Sequence, residues 1–197
     1  GDIIAMSSNS ITVRSMRNFG VACAVAPATP SVTVLRVGNW FAVGDSVFVF
    51  ADNRENVSND DDWIAVRASA VDTTAACGAS PASRITFGGQ SAKFAADSVR
   101  VGAPVRSYIR YTYDLVTESG QTYLGRTPAG GTAAPMVGPL KPSTGIQFTY
   151  LDSLGAVTSV TTNVRQITVR VRTVSEVLNS LGQPVSDSLT IRIYTRN

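Results

Sequence analysis

Apolar and polar positions alternate along this chain in short runs, each bounded by Gly, Pro, Asn, Asp or Ser. Such runs, rich in β-branched and aromatic residues, predict strands. Ser10 to Ser15 alternates, Ser31 to Val37 is nearly all β-former, and Ser46 to Phe50 follows a Gly44-Asp45 turn. From Trp63 to Val71, Ile64, Val66 and Ala68 oppose Ala65, Arg67 and Ser69. Arg84 to Phe87 is closed by Gly88-Gly89. Val105 to Leu115 is the longest candidate, and Glu118-Ser119-Gly120 turns it into Gln121 to Arg126 as a hairpin.

The last third has the clearest alternation. Ile146, Phe148 and Tyr150 lead to a turn at Asp152-Ser153-Leu154-Gly155. Ile167, Val169 and Val171 then oppose Thr168, Arg170 and Arg172, and Leu189, Ile191 and Ile193 oppose Thr190, Arg192 and Tyr194. One apolar face per strand predicts an antiparallel sheet solvated on one side, with these six aliphatic residues buried together. Val174 to Leu181 reads as a single helical turn or a loop, and nothing else reads as a helix. Thr127 to Thr144, rich in Pro and Gly, reads as an ordered crossover pinned by Met136, Val137 and Leu140. No polar linker interrupts the apolar runs, so residues 1–197 read as one mainly β domain of antiparallel sheets.

Composition narrows the chemistry. Charged residues are 16% of the chain, against about 25% in a typical soluble domain, which suits a surface with neighbours to pack against and equally a thin-skinned β protein. The net charge is +3, and 15 of the 17 basic residues are Arg, scattered without a basic block. The absence of His removes the commonest general base and the Ser-His and Cys-His nucleophile pairs. Cys23 and Cys77, each among small residues, suit one disulfide and hence an oxidising compartment; the alternative is two buried thiols.

Few residues carry candidate chemistry. Asp60 and Asp62, in an acidic run preceded by Asp52 and Glu55, are the one weak Ca²⁺ candidate, without EF-hand spacing. Asp45, Asp97, Asp114 and Asp152 sit beside turns or strand ends and read as turn-formers. Neither Gly88-Gly89 nor Gly130-Gly131 continues as a phosphate loop. No catalytic set or cofactor site is expected, and no enzyme activity. Arg170, Arg172 and Arg192, with Tyr194 on the same face, would form a basic stripe if their strands pair, able to face an acidic neighbour or, by stacking, single-stranded nucleic acid; an exposed face of cross-strand Arg is the first reading. Trp40, Phe41 and Trp63 are the candidates for an aromatic sugar-binding platform.

The order Gly138-Pro139-Leu140-Lys141-Pro142, then Gly145 to Asp152 with Gly155, then Val164 to Arg172, resembles J-type pseudopilins of type II secretion and PilW-type minor pilins of type IV pili. The ending Ser188 to Asn197 is similar to the finish of those chains, and Asp2 to Arg14 to the region after their N-terminal helix. The resemblance implies an α+β pilin-type head without that helix. It implies a minor subunit that starts or caps a filament, in the periplasm or at the cell surface, with other minor pilins or pseudopilins as partners. Membrane attachment would come only through the missing helix; neither nucleic acid nor a small-molecule substrate is expected. An adhesin or carbohydrate-binding sandwich and a self-assembling β shell protein are the alternative readings.

Overall fold

The computed structural model describes residues 2–38, 40–52, 61–88, 94 and 99–195. Neighbouring strands pair antiparallel along the sheet, and a 3-10 turn spans Thr161–Asn163. The mainly β expectation therefore stands, whereas the α+β pilin detail does not. The chain divides into two compact units, residues 16–109 and residues 1–15 with 110–197, where the sequence reads as one 1–197 domain.

The unit of residues 16–109 is built from β2 (Ile11–Ala26, shared with the other unit), β3 (Ser31–Val37), β4 (Ser46–Ala51), β5 (Asp62–Asp72), β6 (Ala76–Cys77), β7 (Ser80–Phe87) and the start of β8 (Pro104–Glu118). Hydrogen-bonded neighbours run β2-β3-β7-β5-β4-β8. Ala22 then bonds back to residues 102–103, just before β8, through Ala22 N–Ala103 O and Gly102 N–Ala22 O, so the order returns to its start. Alternation sets the inside: Val32, Val34, Val47, Val49, Ile64, Val66, Ile85 and Val105 pack one core with Phe41, Phe87 and Phe94. The Gly44-Asp45 turn is held by its own side chain, because Asp45 accepts from the Ala42 N–H at 3.0 Å and from Arg17 at 3.0 Å. Cys23 and Cys77 form a disulfide between β2 and β6, with Cα atoms 6.0 Å apart.

The unit of residues 1–15 and 110–197 holds β1 (Ile3–Met6), the start of β2, the rest of β8, β9 (Gln121–Pro128), β10 (Ala134–Leu140), β11 (Ile146–Leu151), β12 (Gln166–Leu178) and β13 (Pro184–Tyr194). β8 and β9 form the predicted hairpin, with Ser119 and Gly120 both at positive φ (51° and 80°), the conformation a two-residue turn demands. Ile146, Phe148, Tyr150, Val164, Ile167 and Ile11 form the core, against Ile3, Met6, Val13, Tyr113, Leu115, Leu124 and Val169.

Two expectations need correction here. The 127–144 segment is no crossover: β9 runs into it and β10 returns beside β9, leaving Met136 and Val137 exposed and Leu140 alone buried. Val174 to Leu181 is the end of β12 and a turn, because the hairpin to β13 extends to Leu178↔Pro184.

Candidate functional site

The C-terminal sheet of β11, β12 and β13 is where the alternation has its largest consequence. β-Branched and aromatic residues at every second position put one side chain up and the next down. The ladder aligns Ile146 with Val171 and Leu189, Phe148 with Val169 and Ile191, and Tyr150 with Ile167 and Ile193. Three apolar rows therefore cross one face of the sheet.

The cover on that face stops part-way. Along the middle row, Phe148 is 7% exposed, Val169 is half-buried and Ile191 is 44% exposed. In the flanking rows Ile193 is 48% and Leu189 60% exposed, although Tyr150, Ile167 and Ile146 are buried. Joint burial of the six aliphatic residues is thus corrected: the strands pair as the faces predict, but the core ends at β12. The physical reason is the reach of the covering side chains, which come from β1, β2, β8 and β9 and leave every residue of β13 exposed. Along β13 the row ends at Asp187, which follows Leu189 on the same face; Val185 lies beyond it, and Val177, Leu178 and Leu181 are exposed at the hairpin end.

β13 is also an edge. Its one strand partner among the described residues is β12, so its outer N–H and C=O groups face away from the sheet. Proteins usually blunt such an edge with Lys, Pro, a bulge or brevity. β13 has 11 residues, with Pro184 at its very start, Asp187 as the one charge on its aliphatic face and Arg192 as its one cation. A long edge strand with an uncovered aliphatic row offers hydrogen bonds and apolar area to the same partner.

The opposite face of this sheet is polar. Register places Arg170 opposite Thr190, Arg192 opposite Thr168, Arg172 opposite Ser188 and Tyr194 opposite Gln166, so the four candidate surface residues share one face. Arg172 is committed within the sheet, donating to the Thr144 carbonyl (2.8 Å) and to Gln147 Oε1 (3.3 Å). Arg170, Arg192 and Tyr194 are exposed.

The remaining candidates scatter. Asp60 lies outside the described residues; Asp62 is exposed and accepts from the Trp63 N–H at 2.7 Å. Among the described residues no group of three His, Cys, Asp or Glu is placed to hold a metal ion. Asp152 does form a turn, accepting from the Leu154 and Ala156 N–H groups; Asp114 instead sits inside β8, and Asp97 lies outside the described residues. Phe41 is in a core rather than on a platform. Trp63 does meet aromatic neighbours that sequence reasoning missed. Phe50 and Phe48 pack edge-on to it, Phe48 stacks on Tyr108 at 4.6 Å, and the Arg106 guanidinium lies 4.4 Å over the Trp63 ring. These rings and the guanidinium saturate one another across three strands, which is how an exterior aromatic ladder stabilises a sheet. The signal was present in Phe48, Phe50, Arg106 and Tyr108, but it needs the non-local β4–β8 pairing to be visible.

No family model, curated protein or solved structure matches this chain. Together with a fold that is almost wholly antiparallel β, this overturns the resemblance to minor pilins and pseudopilins. The motif behind it has a local explanation. Asp152 forms an Asx turn at the end of β11, and β11 and β12 alternate because one face meets a core. Any such strand pair shows that pattern.

Proposed function

We propose that this protein is a structural subunit of an extracytoplasmic assembly, joined to a neighbouring protein through the β13 margin of its C-terminal sheet. One observation carries the reading: the aliphatic rows of β11 and β12 continue onto β13 after their cover has ended. A contiguous apolar area beside an unpaired edge is what protein partners cover. The Cys23–Cys77 disulfide favours an oxidising compartment. The absence of His and the low charged share suit a role in contact rather than in catalysis.

The triple variant Leu189→Ser, Ile191→Ser, Ile193→Ser tests this. All three residues are exposed, so the melting temperature should stay within a few degrees of wild type. The variant should leave the high-molecular-weight fraction of a native extract and run as the free chain. An unchanged size distribution would count against the reading.

A further inference from the structure

A second surface, within residues 16–109 and independent of the β13 margin, has the chemistry of a ligand site. A groove of about 410 Å³ lies against β2, β3 and β7 and is lined by Ala24, Ala26, Ser31, Thr33, Arg84 and Thr86, with Thr29 at the turn beyond β2. The ladder explains the cluster. Thr33 is paired with Arg84 and Ser31 with Thr86, and directly opposed residues share a face with Cβ atoms about 5 Å apart. On the β2 side, Ala24 is opposite Thr33 and Ala26 opposite Ser31. These two short side chains leave the space that larger ones would fill.

The polar groups lining the groove are unsatisfied by the protein. Ser31 and Thr33 are only 5% and 7% exposed. Neither hydroxyl bonds to another group among the described residues, nor is either sealed from solvent, so their open side is the groove. Thr86 and Arg84 likewise make no side-chain hydrogen bond among the described residues, and no carboxylate there lies within ion-pair distance of Arg84, although its charge acts on Asp72. The nearest acid in the ladder is Asp72, opposite Arg84 on β5. Its Oδ1 accepts from the Thr74 N–H (2.8 Å) and hydroxyl (2.7 Å), which first of all hold its carboxyl below the usual range, with a smaller contribution from the Arg84 charge; Asp72 itself does not line the groove. The groove lining therefore presents donors, one guanidinium fork and a row of hydroxyls; the one acid beside them, Asp72 on the neighbouring strand, is engaged by Thr74 and is not part of the lining.

That donor set selects a ligand class. A guanidinium with hydroxyls beside it matches the lone pairs of an oxyanion, and the charge-assisted bonds are the strong ones. We propose that the Ser31–Thr33–Arg84–Thr86 groove binds an oxyanionic group, carboxylate or sulfate. Arg84 supplies the charge, and the two deeply placed hydroxyls orient the group.

Amide shifts of the whole chain, titrated in turn with sodium sulfate, sodium glucuronate and glucose, test this assignment. Sulfate and glucuronate should move the amides of 31–33 and 84–86 along saturable curves. The tighter of the two distinguishes a free oxyanion from one carried on a sugar acid. Arg84→Gln should weaken binding about tenfold or more, as loss of a charged hydrogen bond does. Thr33→Val should weaken it several-fold while leaving the melting temperature at or above wild type, because the lost hydroxyl has no protein partner. Glucose binding as tight as glucuronate, shifts that never saturate, or full affinity in Arg84→Gln would overturn the proposal.

Discussion

Tyr150 ties two distant parts of the C-terminal core together with one atom. Its ring packs beside Phe148 and Ile167, and its hydroxyl donates to the Ser10 carbonyl at 3.1 Å. Burial disfavours the phenolate and pushes the group up to about 12. An unfolded Tyr titrates near 10. The native state therefore keeps the full benefit of this group below pH 10 and loses it as pH rises toward 12. In an alkaline titration followed at the tyrosinate band, one of the six tyrosines should ionise last, together with unfolding. Tyr150→Phe should remove that late step. Simultaneous ionisation of all six in the folded protein would contradict it. Alternation marked Tyr150 as inward-facing from sequence alone. Its Ser10 partner, 140 residues away, was not legible, because no local pattern encodes a contact between the first strands and the eleventh.

Among the elements, β12 and β13 have nearly the same alternating pattern and different fates. Ile167 and Ile193 are ladder partners on one face, yet Ile167 is 6% exposed and Ile193 48%. Truncating a buried Ile to Ala costs about 2–5 kcal/mol through lost transfer energy and a cavity. Ile167→Ala should show a loss of that size by chemical denaturation. Ile193→Ala, already half solvated, should lose less than about 1 kcal/mol. Equal losses would mean that β13 is covered in the free chain. Periodicity reports which side chains share a face, and here it placed β3, β4, β5 and β11 close to their observed bounds, while β8, β12 and β13 each run several residues further than the alternation marked. It does not report whether another layer lies over that face. β10 was missed for a related reason: Pro135, Gly138 and Pro139 give it the composition of a loop, while its pairing with β9 keeps it extended.

For the molecule as a whole, the division into two units was not legible either, because β2 and β8 carry unbroken strand pattern across both boundaries. Each unit has its own core and its own candidate surface, the donor-lined groove in one and the aliphatic margin of β13 in the other. Whether a partner covers that margin can be tested without disturbing the fold. A photo-cross-linking side chain placed at Ile191, and for comparison at Arg170 on the opposite face of the same sheet, would be activated in the cells that make the protein. A partner seated on the β13 margin should give one dominant protein adduct from position 191 and little from position 170. Equal yields from the two faces, or no protein adduct from position 191, would contradict it.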